Sequence, residues 1–220
     1  MIFDPPTESE PFAMEPFTPR QNAVLECALQ LLVAGGERAL TTAGLARAAN
    51  CSKESLYKWF GDRDGLLAAM ITYQASKVRT PGPRESMATL DDFTRSLTVF
   101  AEDLIGVLSG EVSLALNRLA IGQADRDGAQ LGALLREHGR LPIEQRARAL
   151  LELGRRHGYV QFIDTREAYE TLYGLIVHDS HVRMLLGEPP AGVAEDRPRR
   201  ARLAISQFFR LYGHGAQDIE

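Results

Sequence analysis

Apolar residues recur at steps of three and four along almost the whole chain, and nowhere do they alternate with polar ones for long enough to build a sheet. That periodicity confines the chain to an all-α fold of about nine or ten helices. Thr18 is placed to cap the first helix and Pro19 suits its first turn, after which Val24, Leu25, Ala28, Leu29 and Leu32 mark one face up to a stop at Gly35 and Gly36. Two short segments follow, 42–49 and 53–60, then a longer helix opening after Asp62 and running to about Val78. Thr80, Pro81, Gly82 and Pro83 form the clearest internal break. Beyond it, Phe93, Leu97, Phe100, Leu104 and Leu108 trace one stripe, Val112 to Leu119 another, and Leu131, Leu134 and Leu135 a third. Pro142 punctuates the pattern before Ile143, Ala147, Leu150 and Leu151 resume it. Residues 158–163 are the one stretch with a strand-like look. Asp164 with Glu167 then predicts a capping box opening a helix to about Leu186, and a final helix spans about 195–212.

A chain of 220 residues with 45% apolar content can bury one or two cores without a disulfide or metal staple. Its net charge of -4 excludes a polycation that coats nucleic acid, so any such contact must be local. The two cysteines, Cys27 and Cys51, form no CxxC pair and have no histidine cluster beside them, which predicts neither a disulfide framework nor a zinc site and fits a reducing cytoplasm. No run reaches the roughly 18 to 20 apolar residues of a membrane helix, and no basic leader with a hydrophobic core opens the sequence. A soluble cytoplasmic protein is expected. Residues 1–19 hold five prolines and four acids and read as a flexible acidic arm, leaving 20–66 and 67–220 as the two folded units.

Within the first unit, residues 41–60 (TTAGLARAANCSKESLYKWF) meet the constraints of two helices packed around a tight turn. Ala46 is small where the helices cross, and Asn50 tolerates the left-handed backbone the turn needs. Cys51 and Leu56 pack on either side, and Ser52 caps the second helix so that Lys53, Glu54 and Ser55 form its leading turn. The leading turn of such a second helix enters a DNA major groove.

These residues resemble the TetR family of transcriptional regulators, whose motif T(T/V)xxLAxxAGVSxxxLYxxFxxKxxL reads here as Thr41-Thr42, Leu45-Ala46, Ala49-Asn50-Cys51-Ser52, Leu56-Tyr57, Phe60, Arg63 and Leu66. The match spans about residues 20–70. A looser similarity to the effector-binding and dimerisation domain of that family rests on Arg118-Leu119-Ala120-Ile121-Gly122-Gln123. The resemblance implies a three-helix DNA-binding domain followed by a helical effector-binding and dimerisation domain. It assigns Thr42, Tyr57 and Arg63 to phosphate contacts, Arg63 replacing the more frequent Lys, and counts Thr41 and Ser52 among the DNA-binding residues. Lys53, Glu54, Ser55 and Lys58 become base readers, and Trp59 a buttress or a sugar-phosphate contact. Residues 20–80 carry eight bases and five acids, a local surplus of +3 that suits a DNA-facing unit. Gly44 and Gly65 depart from the family pattern at helical positions, where glycine costs roughly 1 kcal/mol against alanine.

The expected protein is a ligand-responsive repressor that reads a palindromic stretch of double-stranded operator DNA as a homodimer, with two recognition helices ~34 Å apart. Leu172, Leu175, Ile176, Leu203, Phe208 and Leu211, with Ala168, supply apolar surface for a four-helix dimer interface. Phe93, Leu97, Phe100, Leu104, Leu116 and Leu119 are candidates to line the pocket of an unidentified small-molecule effector, although helical spacing favours core for any single one of them. No cofactor is expected, and the absence of GxSxG, P-loop, HExxH and dinucleotide motifs argues against an enzyme. Three other readings stay open: a helical adaptor that binds only protein, a redox-responsive regulator acting through Cys51, and a metal-responsive one using His178 and His181.

Overall fold

The computed structural model describes residues 16–80, 88–124 and 130–213. Residues 1–15 of the expected arm, and most of the break around Pro81 to Pro83, lie outside them. Among the described residues, twelve α-helices and one π turn follow in order: α1 (Pro19–Ala39), α2 (Thr42–Ala48), α3 (Lys53–Phe60), α4 (Arg63–Ser76), α5 (Leu90–Ser109), α6 (Glu111–Gln123) and α7 (Gln130–Leu134). The π turn (Leu135–Arg140) leads into α8 (Leu141–Arg156), then α9 (Thr165–Val177), α10 (Ser180–Leu185), α11 (Ala191–Glu195) and α12 (Arg197–Tyr212). The strand-like stretch at 158–163 makes only an isolated antiparallel bridge, Val160 to Gly213. The fold is all-α, as the periodicity requires.

Helix boundaries follow cap chemistry. Thr18 and Gln21 form a reciprocal capping box at the head of α1, with Pro19 in the first turn where its missing N–H is harmless. The end of the arm is anchored here as well, because Phe17 lies half-buried and edge-on to Phe60, ring centroids 6.5 Å apart. The glycine stop is a kink: Gly36 takes φ 64° and one further helical turn continues to Ala39. Pro142 does not end a helix. A proline ring would run into the carbonyl four residues back in a regular α-helix, and the wider π turn just before it, where the Leu141 N–H reaches the Arg136 carbonyl, carries the helix through. Asp164 caps α9 through the N–H groups of Arg166 and Glu167, but α9 stops at His178, which adopts φ 48°, and α10 begins beyond it.

Two cores form, and α4 belongs to both. Its first part packs Leu67, Met70 and Ile71 with Leu25, Leu29 and Leu45, together with Leu116, Ala120, Leu131 and Leu134 from α6 and α7. Its last turn and the residues just beyond it place Ala75 and Val78 against α5, α8, α9 and α12. The sequence boundary at residue 66 therefore cuts through a helix that physically joins the two units. The π turn presses on α4 so closely that a Cβ at Gly139 would lie 3.2 Å from Ile71 Cγ2, and the half-buried Arg146 guanidinium donates to the Ala75 carbonyl at 2.8 Å.

The α5 stripe is core. Phe93, Leu97, Phe100 and Leu104 are enclosed by α8, α9 and α12, and α8 opens at Gly154 to admit the Phe93 ring, which a Cβ there would meet at 2.2 Å. Leu116 belongs to the other core, and Leu119 lines a cleft between α6 and the end of α1. The six candidate effector contacts are thus not brought together. A small cavity of about 10 Å³ does lie at the end of the second core, walled by Ile105, Leu108, Ile176, Ser180, His181 and Arg200, and its volume suits a water-sized occupant.

His181 faces that cavity. Burial holds its imidazole below the ordinary value of 6.5, against the opposing pull of the Leu108 carbonyl, and its Nδ1 has no partner among the described residues. A folded-state value below the unfolded one means that stability is complete above about pH 6.5 and declines as pH falls through the lower folded value. Thermal midpoints measured from about pH 7.5 down to about pH 5 are expected to drop more steeply in the native protein than in His181→Leu.

Candidate nucleic-acid interface

The turn between α2 and α3 is built as its residues dictate. Asn50 adopts φ 49°, the Cys51 N–H closes back on the Ala46 carbonyl at 2.9 Å, and Ser52 caps α3 by accepting from the Ser55 N–H at 3.0 Å. Thr41 caps α2 by accepting from the Gly44 N–H at 3.0 Å. An unanticipated residue completes the turn: the Arg20 guanidinium, from the first turn of α1, donates to the carbonyls of Ala49 at 2.9 Å and Asn50 at 2.7 Å. Those carbonyls end α2, so a cation there also meets the negative end of the helix. Arg20→Ala is expected to cost about 1 kcal/mol, read as a fall in thermal midpoint, because both carbonyls sit near the surface and water replaces part of the contact.

Helix α3 is amphipathic over eight residues. Leu56 and Phe60 are buried, while Lys53, Glu54, Tyr57 and Lys58 point outward. Tyr57 is 58% exposed, far above what a packing role would leave. Trp59 is half-buried and edge-on to Phe60 at 6.2 Å, so part of its ring packs on the core side of α3. The backbone N–H of Glu54 and the Ser52 hydroxyl hold the Glu54 carboxyl below the usual range, so it is anionic at neutral pH and adds negative charge at the leading edge of the helix. Ser52 and Ser55 lie with their hydroxyl oxygens 3.1 Å apart at the same edge.

Beside α3 lies a cleft of about 430 Å³ whose walls include Thr41, Thr42, Tyr57, Gly61 and Arg63. Thr42, Tyr57 and Arg63, the three residues expected to hold phosphate, therefore border one cavity together with Thr41, and their hydroxyl, phenol and guanidinium groups are of the donor types that a phosphate takes. Asp62 also borders it, but its carboxylate is turned to cap α4, accepting from the Gly65 N–H at 2.8 Å. Arg63 is not free in this structure. Its guanidinium is paired with Glu37, which no local sequence signal could flag because the two are 26 residues apart.

Glycine at 65 answers to geometry. A Cβ there would lie 2.0 Å from the Phe60 carbonyl oxygen, the point where α4 turns back against the end of α3; at Gly44 it would meet the Thr41 capping hydroxyl at 2.8 Å. The obstacle at position 65 is a backbone atom, so a side chain there requires the two helices to shift, whereas at position 44 it is a side-chain hydroxyl.

The sensing candidates fare differently. Cys27 and Cys51 are free thiols, and burial pushes the Cys27 thiol up with a further contribution from nearby Cys51, the opposite of the lowered value that activates a thiolate. Among the described residues no group of three or more His, Cys, Asp or Glu side chains is placed to hold a metal, and the break at His178 puts His178 and His181 on separate segments. Asp179 and Arg183 do pair at 3.8 Å, though Arg183 makes its shorter contacts with Glu188. Of the six dimer candidates, Leu172, Ile176 and Phe208 are consumed by the chain's own core, as is Ala168. Leu175 is half-buried, and Leu203 and Leu211 remain outside at 49% and 53% exposure. Among the described residues no single helix is long and apolar enough to cross a membrane.

Residues 24–70 match the family model of bacterial regulatory proteins of the tetR family, and residues 95–214 match the C-terminal domain of AefR-like transcriptional repressors. The fold superposes on the crystal structure of a TetR transcriptional regulator from Agrobacterium tumefaciens with a TM-score of 0.77 and 62% identity, covering 91% of this chain and 97% of that one. A TetR-family structure from Mesorhizobium loti MAFF303099 shares the fold at a TM-score of 0.65 and 22% identity, over 88% of this chain and 96% of that one. The HTH-type regulator YvkB of Bacillus subtilis (strain 168) is 36% identical over 58 residues, 26% of this chain, so the chain spans about a third of that relative, 31% of its length.

Proposed function

Because the chain belongs to the TetR family of DNA-binding transcriptional regulators, we propose that it is a ligand-responsive repressor that binds a palindromic operator as a homodimer. The observation that carries the reading is the outward face of α3, Lys53, Glu54, Tyr57 and Lys58, standing beside a hydroxyl- and guanidinium-lined cleft. Lysine donates to guanine O6 or N7 and glutamate accepts from cytosine N4, so the face is equipped to read bases while the cleft grips the backbone. The Glu54 charge repels phosphate and sharpens sequence choice at some expense of overall affinity.

One such face discriminates poorly; two, held ~34 Å apart, read a palindrome. The outer side of α12 supports dimerisation. Leu203 and Leu211 are exposed there, with Gln207 between them at helical spacing and its Oε1 buried without a partner among the described residues. Leu175 of α9 is half-buried against the same core and keeps part of its side chain available to a partner. Effector control is assigned to α4, which is gripped at one end by the π turn and Arg146 and carries Arg63 at the other. A small molecule that enters among α5 to α8 and favours one position of α4 shifts the recognition helices out of register, by as much as its affinities for the two states differ.

Selection of genomic fragments by the purified protein, followed by sequencing and gel shifts at several salt concentrations, tests the reading. Retained fragments sharing an inverted repeat, bound by a dimer in analytical ultracentrifugation, are expected. A monomer that retains no fragment at low salt would falsify it.

A further inference from the structure

The Glu37 carboxylate sits where three helices meet. It follows Gly36, whose φ of 64° swings the last turn of α1 out of line. One of its oxygens accepts from Arg63 Nη2 in the first turn of α4, and the other accepts from Nε2 of Gln123, the last residue of α6, at 2.7 Å. A single carboxylate thus ties the DNA-facing cleft to a helix of the C-terminal half. Glu37 and Gln123 also wall a second cleft, of about 420 Å³, between the end of α1 and α6.

Resting on the DNA-binding reading above, we propose that Glu37 is an intramolecular competitor of the DNA backbone for Arg63, oriented by Gln123 so that the position of α6 sets how firmly Arg63 is withheld. The Arg63 side chain is 53% exposed and lines the phosphate cleft while bonded to Glu37, so rotation of one side chain exchanges carboxylate for phosphate. An exposed ion pair of this kind contributes little net stability. A backbone phosphate offers the same guanidinium a charge-assisted bond of comparable geometry. The exchange is therefore close to balance, which is the condition under which a small displacement of Glu37 changes the outcome. Gln123 supplies that displacement, because its amide pins the second carboxylate oxygen and moves with α6.

The experiment uses the full chain and needs no knowledge of the operator, since phosphate contacts contribute equally to non-specific binding. Fluorescence anisotropy with a labelled random-sequence duplex of about 30 base pairs, from about 50 to about 200 mM salt, is compared for the native protein, Glu37→Gln, Arg63→Ala and the double variant. Glu37→Gln is expected to tighten binding about three- to tenfold at the lowest salt and to steepen the slope of log affinity against log salt by about 0.9 per protomer, one additional phosphate contact. Both changes are expected to vanish in the Arg63→Ala background. A Glu37→Gln effect of equal size with and without Arg63 reflects general loss of negative charge and overturns the proposal, as does an unchanged or shallower slope. If the native protein binds no duplex at the lowest salt, the DNA-binding reading falls first and the competition with it; binding by the native protein with no effect of Glu37→Gln removes the competition alone.

Discussion

Gly65→Ala is expected to destabilise the protein by about 3 kcal/mol, although helix propensity taken alone predicts a gain of roughly 1 kcal/mol from the same change. The two effects oppose each other and their sizes decide the sign. The new Cβ would stand 2.0 Å from the Phe60 carbonyl oxygen, a backbone atom that cannot rotate away as a side chain does. Relief requires α3 and α4 to separate just where Asp62 caps α4 through the Gly65 N–H. For a chain of this length the expected cost is a fall of about 6 to 12 °C in thermal midpoint, measured by circular dichroism. A midpoint that rises would show that propensity prevails and that the close approach of α3 to α4 is relieved at no cost. Because the shift would also re-aim α3, DNA binding should weaken by more than the stability loss alone explains.

Tyr57→Ala and Lys58→Ala should each weaken operator binding by about 1 to 3 kcal/mol, roughly five- to 150-fold, without disturbing the dimer. Both side chains point away from the core, Tyr57 from the rim of the phosphate cleft and Lys58 from the adjoining solvent face of α3. Their signatures differ. Lysine carries a charge, so its loss from a phosphate contact lowers the salt slope by about 1, whereas loss of the neutral phenol leaves the slope unchanged. If Lys58 reads a base instead, its removal relaxes sequence preference at one position of the operator. Titrations of both variants against a selected fragment at three salt concentrations separate these outcomes. Unchanged affinity in both would remove α3 from the DNA interface. Sedimentation of the same variants should show the assembly of the native protein, because neither residue lies on α9 or α12.

Much of the molecule was legible before any coordinates. The turn at Asn50, the caps at Thr18 and Ser52, the start of α4 after Asp62 and the span of α3 all follow from local chemistry, since each rests on partners within a few residues. Elements set by competition between neighbours were less legible. The helix expected to run on to Leu186 breaks at His178, and the pattern that Pro142 punctuates is carried through by a π turn. Apolar stripes on α5, α9 and α12 were identified as stripes, but periodicity does not say whether a stripe meets its own core, a partner or a ligand. Phe93 and Phe208 turned out to meet their own core.

Local sequence by itself determined the helices, their caps and the residues presented at the leading edge of α3, because those interactions act over three or four positions and the chain order supplies both partners. Only the tertiary structure decided that Arg20 clamps the turn, that Glu37 holds Arg63, that α4 belongs to two cores, and that glycine at 65 and 154 makes room for a carbonyl and an aromatic ring. The paired contacts among these run from five positions apart, Phe60 to Gly65, to 61 apart, Phe93 to Gly154. Packing at close to crystalline density, which no one-dimensional pattern encodes, selects among the apolar faces and fixes which charged groups meet.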